Sequence, residues 1–274
     1  MSTDNATKPE HIAITHNRGA WEEIARSHDE QRLADVSAHL AAQPSHYLEQ
    51  PLREILVEIG LDDKVVAQFN CNNGRELISI VNAGARAGIG FDISSEYVKQ
   101  AKSLAQQYCP AADFVVRDVT SVEESYKDAA DILVVTASAM CWLPDLSDYF
   151  SSAARVLRPG GSLILYETHP FAEMFEADIE RADDKPLTPV YAYNSREPVI
   201  FKSEGAYFGD GNTGSTYWYH HSLSYIIQSA LDAGFVLRSF AEYSHDVCVG
   251  YRELEKVSVH PPLSMRVHFE LVPR

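Results

Sequence analysis

The sequence predicts an α/β fold: a doubly wound, mostly parallel seven-stranded sheet with an antiparallel last strand, N-terminal helices, and an aromatic-rich insertion after the fifth strand. Three observations carry this. Lys64 to Asp92, KVVAQFNCNNGRELISIVNAGARAGIGFD, sets a buried strand, a tight turn, a helix and a second strand in succession. Strand and helix patterns then alternate as far as Thr168, the signature of a parallel sheet. From His169 to about Thr216 that rhythm breaks, and it resumes with a helix and two strands.

In order, residues 1 to about 10 are polar, and His11 to about Ile59 is helical. Trp21, Ile24 and Ala25 share one face there, and Leu52, Ile55, Leu56 and Ile59 another, with Pro51 suited to a helix start. Val65, Val66, Ala67 and Phe69 form a run too continuous for a half-exposed strand, so helices should cover both faces. Asn70, Asn72 and Gly74 tolerate positive φ, and a helix opens at Arg75 with its first amides free for a ligand. Asp92 ends the second strand, where an acid about 20 residues beyond such a turn accepts from ribose hydroxyls. Capping of the next helix is the alternative role for Asp92.

Ser94 or Ser95 caps a helix to about Tyr108, and strands follow at Asp113–Arg117 and Asp131–Thr136. A helix at Leu146–Leu157 is stopped by Pro159, with Gly160 and Gly161 turning into a strand at Ser162–Thr168. The insertion holds short alternating runs at Val190–Tyr193 and Val199–Phe201. A helix from about Ser222 to Ala233, capped by Gly234, precedes strands at Phe235–Tyr243 and Ser264–Leu271, which should pair antiparallel at the sheet edge.

The 274 residues suit one domain with a large insertion. With 39 acids against 23 bases, the net charge of −16 repels nucleic acid and anionic membranes. The apolar runs are too short for a bilayer span and MSTDNATKPE has no apolar signal core, so the expected location is cytoplasmic. Cys71, Cys109, Cys141 and Cys248 lack metal-ligand spacing and are expected to be reduced structural thiols, with no metal site. The final LVPR matches either the stem of a protease-site linker or the end of a strand and carries no functional weight.

Four pieces in order, AQFNCNNG, GFDIS, VVRDVT and CWLPDLSDYFSSAARVLRPGGSLILYE, resemble the class I S-adenosylmethionine-dependent methyltransferases of the bacterial small-molecule type, whose sheet is Rossmann-like. The resemblance spans roughly residues 60 to 170 and resumes at the C-terminal helix and strand pair. It implies S-adenosyl-L-methionine as cofactor, with S-adenosyl-L-homocysteine as product. The methionine part would lie on Phe69, Asn70, Cys71, Asn72 and Gly74, although asparagines stand at Asn70 and Asn72 where the family's turn has glycines. Asp92 would take the ribose, with Ile93 against the adenine. Asp118 would accept from the adenine amino group and Val119 pack on its ring; the alternative for Asp118 is a plain turn acid. Thr136, Ala137, Ser138 and Trp142 would line the sulfonium end, and HNRGAWEEIA resembles the family's cover helix, with Asn17 and Trp21 over the methionine end. Trp21 and Cys71 also fit core packing. The implied division is a helical cover at 1–59, a cofactor domain at 60–168 and 221–274, and a substrate lid at 169–220.

Methyl transfer from a sulfonium needs an aligned acceptor and exclusion of water, and aromatic faces suit both the enclosure and the positive charge. Phe171, Tyr193, Tyr207, Tyr217 and Tyr219 are the candidate acceptor-binding residues. His169, His220 and His221 are the candidate bases for an acceptor that loses a proton, with Glu167 able to orient one of them. The expected activity is methylation of an oxygen, nitrogen or sulfur of a small, partly aromatic metabolite. A nicotinamide-dependent oxidoreductase would need G-x-G-x-x-G where the chain has Asn70, Asn72, Gly74 and Leu77. A non-catalytic sensor or partner subunit that binds the cofactor remains the other class.

Overall fold

The structure, a computed structural model, describes residues 9–27, 30–178, 186–202, 215–248 and 250–273. Three helices come first: α1 (Pro9–Ser27), α2 (Glu30–Ala42) and α3 (Gln50–Ile59). The alternating part follows as β1 (Val65–Phe69), α4 (Arg75–Asn82), β2 (Ala87–Asp92), α5 (Ser95–Tyr108), β3 (Ala112–Val116), β4 (Ala130–Thr136), α6 (Ser147–Val156) and β5 (Leu157–Thr168). The insertion contributes a hairpin, β6 (Val199–Lys202) with β7 (Ser215–Trp218), and the chain closes with α7 (Leu223–Asp232), β8 (Phe235–Tyr243), α8 (Arg252–Glu255) and β9 (Ser264–Leu271).

The main sheet has seven strands in the order β3-β2-β1-β4-β5-β9-β8. Strands β1 to β5 are mutually parallel, and β9 runs antiparallel to both of its neighbours. The last two strands thus pair antiparallel at the sheet edge, as the sequence implies, with β9 between β5 and the outermost β8. The short α8 lies on the connection between them, which the sequence reading leaves without a helix.

Both sheet faces are covered, which explains the unbroken apolar run in β1. Val65, Ala67 and Phe69 pack in one core with residues of α6 and α7, while Val66 packs in the other with residues of α2 to α5. Strand boundaries elsewhere depart from the sequence expectation by a residue, as at β3 and β4. The larger departure is at Arg158–Gly161: β5 begins at Leu157, paired with Ala130, and the next pairing is Ser162 with Ile132, so the RPGG segment bulges out of a strand already begun. The run Val190–Tyr193 forms no strand, whereas Val199–Phe201 does. Leu271, first residue of LVPR, is a buried end of β9.

One aromatic ring sets the spacing of the first βαβ unit. A Cβ on Gly74 or on Gly90 would overlap the Phe114 ring, and one on Gly90 would also stand 2.9 Å from Cys71 Sγ. The glycine at position 74 is thus required by packing against Phe114 as well as by its φ of 77°. Gly90→Ala should lower the free energy of unfolding by about 1–3 kcal/mol in chemical denaturation. By contrast Gly19→Ala in α1, where nothing lies within 4 Å, should be neutral or stabilising by about 0.5–1 kcal/mol. Equal effects of the two substitutions would contradict the packing account.

Candidate functional site

Strand order reverses between β1 and β4, and in an open α/β sheet the crevice outside the C-terminal ends at such a point receives the ligand. The turn after β1 lies here. Asn70, Asn72 and Gly74 have φ of 51°, 50° and 77°, so the asparagines stand in the left-handed region normally favouring glycine. Short hydrogen bonds hold the turn: Cys71 N–H donates to Phe91 O (3.0 Å), Gly74 N–H to Cys71 O (2.8 Å) and Asn73 N–H to Asn72 Oδ1 (2.8 Å).

Asp92 joins this turn to the next. Its Oδ2 accepts from Asn72 N–H at 2.7 Å and its Oδ1 from Ser94 N–H at 2.9 Å. The carboxyl is 8% exposed, and burial raises its pKa to about 6 against the pull of these amides. The folded state therefore holds the proton more tightly than an unfolded chain, whose value is 3.8. Its contribution to stability is greatest below that value and fades as pH rises through about 6.

Two buried side-chain acceptors, one on β1 and one in the turn that follows it, lack donors. Gln68, 1% exposed, donates through Nε2 to Thr136 Oγ1 at 2.9 Å, which leaves its Oε1 buried without a hydrogen bond. Asn73 Oδ1 is buried in the same state. Such atoms are costly unless a ligand brings donors to them.

Helix α1 closes over the crevice. Glu22 accepts from Ser95 N–H (2.7 Å), Ser95 Oγ (2.9 Å), Glu96 N–H (3.2 Å) and Ser94 Oγ (3.3 Å), tying α1 to the start of α5 beside Asp92. Burial pushes the Glu22 carboxyl up, but these hydrogen bonds outweigh it and hold it below its usual range. Asn17 donates from Nδ2 to Trp142 O (3.1 Å) and Tyr217 O (2.8 Å) and accepts at Oδ1 from Tyr217 N–H (2.8 Å). One side chain thus sutures α1 to the loop after β4 and to the insertion hairpin. Trp21 packs edge-on to Trp142 with ring centroids 5.0 Å apart and tilted against Tyr97 at 6.1 Å.

After β4, Ala137 and Ser138 take φ of 21° and 58°, and a 3₁₀ turn at Met140–Trp142 follows. Glu167, 2% exposed, holds this loop, with Oε1 accepting from Ala139 N–H at 2.9 Å. Burial raises its pKa to about 7.

Several sequence expectations need correction. The Phe69 side chain is fully buried against Phe91 and Tyr149, because odd positions of β1 face the α6–α7 core, so only its backbone reaches the turn. Val119 is buried in that same core. Asp118 is half-buried and accepts at Oδ1 from Thr120 N–H (2.9 Å) and Thr120 Oγ1 (2.7 Å), the contacts of a turn acid, and Ile93 is half-buried beside Asp92. Glu167 orients a loop rather than a histidine. His169 accepts at Nδ1 from Phe171 N–H and places Nε2 3.0 Å from Glu242 on β8, while Phe171 packs with Phe175 in a separate cluster under α8. Burial lowers the His169 pKa and Glu242 opposes that.

Burial also keeps His221 below its usual value, and its Nε2 donates to Leu143 O at 2.9 Å. Tyr219 stacks on His221, Tyr193 Oη accepts from Leu223 N–H at the start of α7, and the Tyr217 ring tilts against His16. No hydrogen bond ties the His220 ring among the described residues; it lies edge-on to Tyr191 (4.9 Å) and Trp218 (6.0 Å), with its pKa lowered by burial to about 4. Cys71 is fully buried and its thiol is pushed well up, as a packing residue would be. Tyr207 lies outside the described residues. Sequence reading missed Gln68, Asn73 and Glu22. A polar residue inside the apolar run of β1 was the available signal for Gln68.

The sheet order and the polar turn at its switch point define an α/β protein of the doubly wound, ligand-binding kind. Residues 66–161 match the family model described as a methyltransferase domain. Over that segment the chain is similar to a methyltransferase domain, and the sheet that holds it has the Rossmann-like strand order.

Among curated relatives, 27-O-demethylrifamycin SV methyltransferase of Amycolatopsis mediterranei (strain S699) is 32% identical over 115 residues, covering 41% of this chain and 42% of that protein. Trans-aconitate 2-methyltransferase of Azoarcus sp. (strain BH72) is 29% identical over 116 residues, 41% of this chain and 43% of its own. The chain thus spans under half the length of both. Among solved structures, geranyl diphosphate C-methyltransferase of Streptomyces coelicolor A3(2) superposes with a TM-score of 0.57 at 16% identity, over 90% of this chain and 84% of that one. The [4+2]-cyclase SpnF shares the fold at a TM-score of 0.53 and 14% identity, over 82% of each chain. That second likeness shows the fold to be compatible with other chemistry.

Asn17→Ala removes three hydrogen bonds and leaves the Tyr217 amide without its acceptor. Hydrogen exchange at the 215–218 amides should accelerate at least about tenfold while β1 amides stay protected. Unchanged exchange would show that the suture does not hold the hairpin.

Proposed function

We propose that the protein transfers the methyl group of S-adenosylmethionine to an oxygen, nitrogen or sulfur of a small, partly aromatic metabolite. The observation that carries this reading is the excess of buried acceptors at the switch point. Asp92, Gln68 Oε1 and Asn73 Oδ1 lie in or next to a turn whose backbone amides at 71–74 are already bonded. A ligand suited to them brings donors, as the ammonium of a methionine moiety and a ribose diol do, so the residues present fit this cofactor. When bound, the cofactor supplies a sulfonium methyl already activated for transfer.

The chain then has to bind, orient and exclude water. Gln68, Asn73 and the 70–74 turn take the methionine end, Asp92 the ribose hydroxyls, with Ile93 toward the base. Thr136, Ala137 and Trp142 border the reacting end, where Trp21 of α1 closes the crevice. In this reading residues 1–59 form the cover, 60–168 and 221–274 the cofactor domain and 169–220 the acceptor lid. His220, neutral at pH 7 and free of hydrogen bonds among the described residues, is the histidine placed to accept a proton from the acceptor. His169 and His221 hold the structure. That the curated relatives carry the names of methyltransferases acting on rifamycin and aconitate compounds supports a small-molecule acceptor.

Calorimetric titration should show S-adenosylmethionine and S-adenosylhomocysteine binding at micromolar concentration, weakened at least about tenfold by Asp92→Ala. The cofactor hydroxyls favour the ionised carboxylate, so affinity should rise between pH 5 and 7 as Asp92, with its pKa of about 6, loses its proton. This slope should vanish in the variant. Binding that ignores both pH and Asp92 would overturn the assignment of the ribose site; no binding at all would overturn the function. Cofactor binding without turnover on any acceptor would favour the sensor or partner-subunit reading.

A further inference from the structure

We propose that Glu173 recognises a positively charged nitrogen on the methyl acceptor, which makes the acceptor class an aromatic or arylalkyl amine. This rests on the methyltransferase reading and adds the substrate's charge to it.

Glu173 stands in the 3₁₀ turn Ala172–Met174 that follows β5, and the residue is 7% exposed. Its electrostatic neighbours are Glu167 and the Cys141 thiol, an acid and a weak acid. Among the described residues no lysine, arginine or histidine pairs with it and no hydrogen bond reaches its carboxyl. Glu167 differs, because the backbone amides of the 138–140 loop compensate it. A buried carboxyl beside a second acid and without a donor either keeps a proton or waits for a cation. Burial and Glu167 indeed push the Glu173 carboxyl well above the usual range. The missing countercharge is what an ammonium would bring, and the chain's net charge of −16 draws cations toward it.

The surroundings suit the rest of such a molecule. Met174 O accepts from Val190 N–H (2.8 Å) and Tyr191 N–H (3.0 Å), which brings Tyr191 beside the turn bearing Glu173. From Tyr191 the rings continue through His220 (4.9 Å) and Trp218 (6.0 Å) to Trp142, stacked at 6.2 Å, and to Trp21 at the cofactor end. Cys141, which neighbours Glu173, directly precedes Trp142. A series of ring contacts therefore runs from Trp21 to Tyr191, whose backbone bonds the turn that bears Glu173, and aromatic faces attract cations as well as rings.

A second observation points to a ligand independently of the acids. Thr216, 1% exposed, and Trp218 share one face of β7, and both Thr216 Oγ1 and Trp218 Nε1 are buried without a hydrogen-bond partner. Trp218 belongs to that series, and its indole N–H lacks the acceptor that a polar ligand would supply. A carboxylate acceptor would meet two acids here, and a neutral one would leave Glu173 unpaired.

The test titrates 2-phenylethylamine, 2-phenylethanol and 3-phenylpropanoate into the protein saturated with S-adenosylhomocysteine, using wild type and Glu173→Gln. Wild type should bind the amine at least about tenfold more tightly than the alcohol and the carboxylate weakest. Glu173→Gln should bring amine and alcohol within about twofold of each other while S-adenosylhomocysteine affinity is unchanged. Should that variant fail to fold, wild-type titrations in two buffers of different ionisation enthalpy decide, because pairing the ammonium releases the Glu173 proton and binding the alcohol releases none. Equal binding of amine and alcohol, preference for the carboxylate, no binding of the amine, or a preference that survives Glu173→Gln each overturns the inference alone. Failure of S-adenosylhomocysteine itself to bind overturns the methyltransferase reading and this inference with it.

Discussion

The hydrogen bonds of Asp92 are the constraint on which the ligand end of the molecule depends. One carboxylate binds the amide of Asn72 in the turn after β1 and that of Ser94 at the cap of α5, so two loops from adjacent strands share one anchor. Both asparagines of the turn sit in left-handed conformations that cost free energy. They persist because Asp92, the Cys71 amide bonded to Phe91, and the Phe114 ring against Gly74 and Gly90 over-determine the backbone.

The second organising feature is electrostatic. The C-terminal edge of the sheet carries buried acids and carbonyl oxygens in excess of donors: Asp92 and Glu167 held by backbone amides, Glu173 without any, and the side-chain oxygens of Gln68 and Asn73. Burial raises the first two toward neutrality, about 6 and about 7, so this edge is poised between charged and neutral forms near physiological pH. In the unliganded chain this arrangement costs stability, and a donor-bearing ligand removes that cost.

Closure is built from few contacts. Glu22 clamps α1 to α5, and Asn17 ties the same helix to the loop after β4 and to β7. Helix α1, the loop after β4 and the β7 hairpin are thereby tied to one another, a coupling that the proposed methyl transfer would use to exclude water.

What the sequence by itself determined was local. Apolar runs of strand length, serines at helix starts and three residues tolerant of positive φ placed β1, α4, β2 and α5 and gave the turn its conformation, since these depend on neighbours a few residues away. The family's motifs then marked Asp92 and the loop after β4. Only the tertiary structure decided which polar groups meet. Glu22 reaches Ser95 across 73 residues and Asn17 reaches Tyr217 across 200, and no periodicity in the chain announces either pairing. The same holds for His169, which meets Glu242 of β8 across β9, and for Glu173, left beside Glu167 with no base to neutralise it among the described residues. Strand order and side-chain burial set those meetings, and both are properties of the folded sheet rather than of any segment read alone.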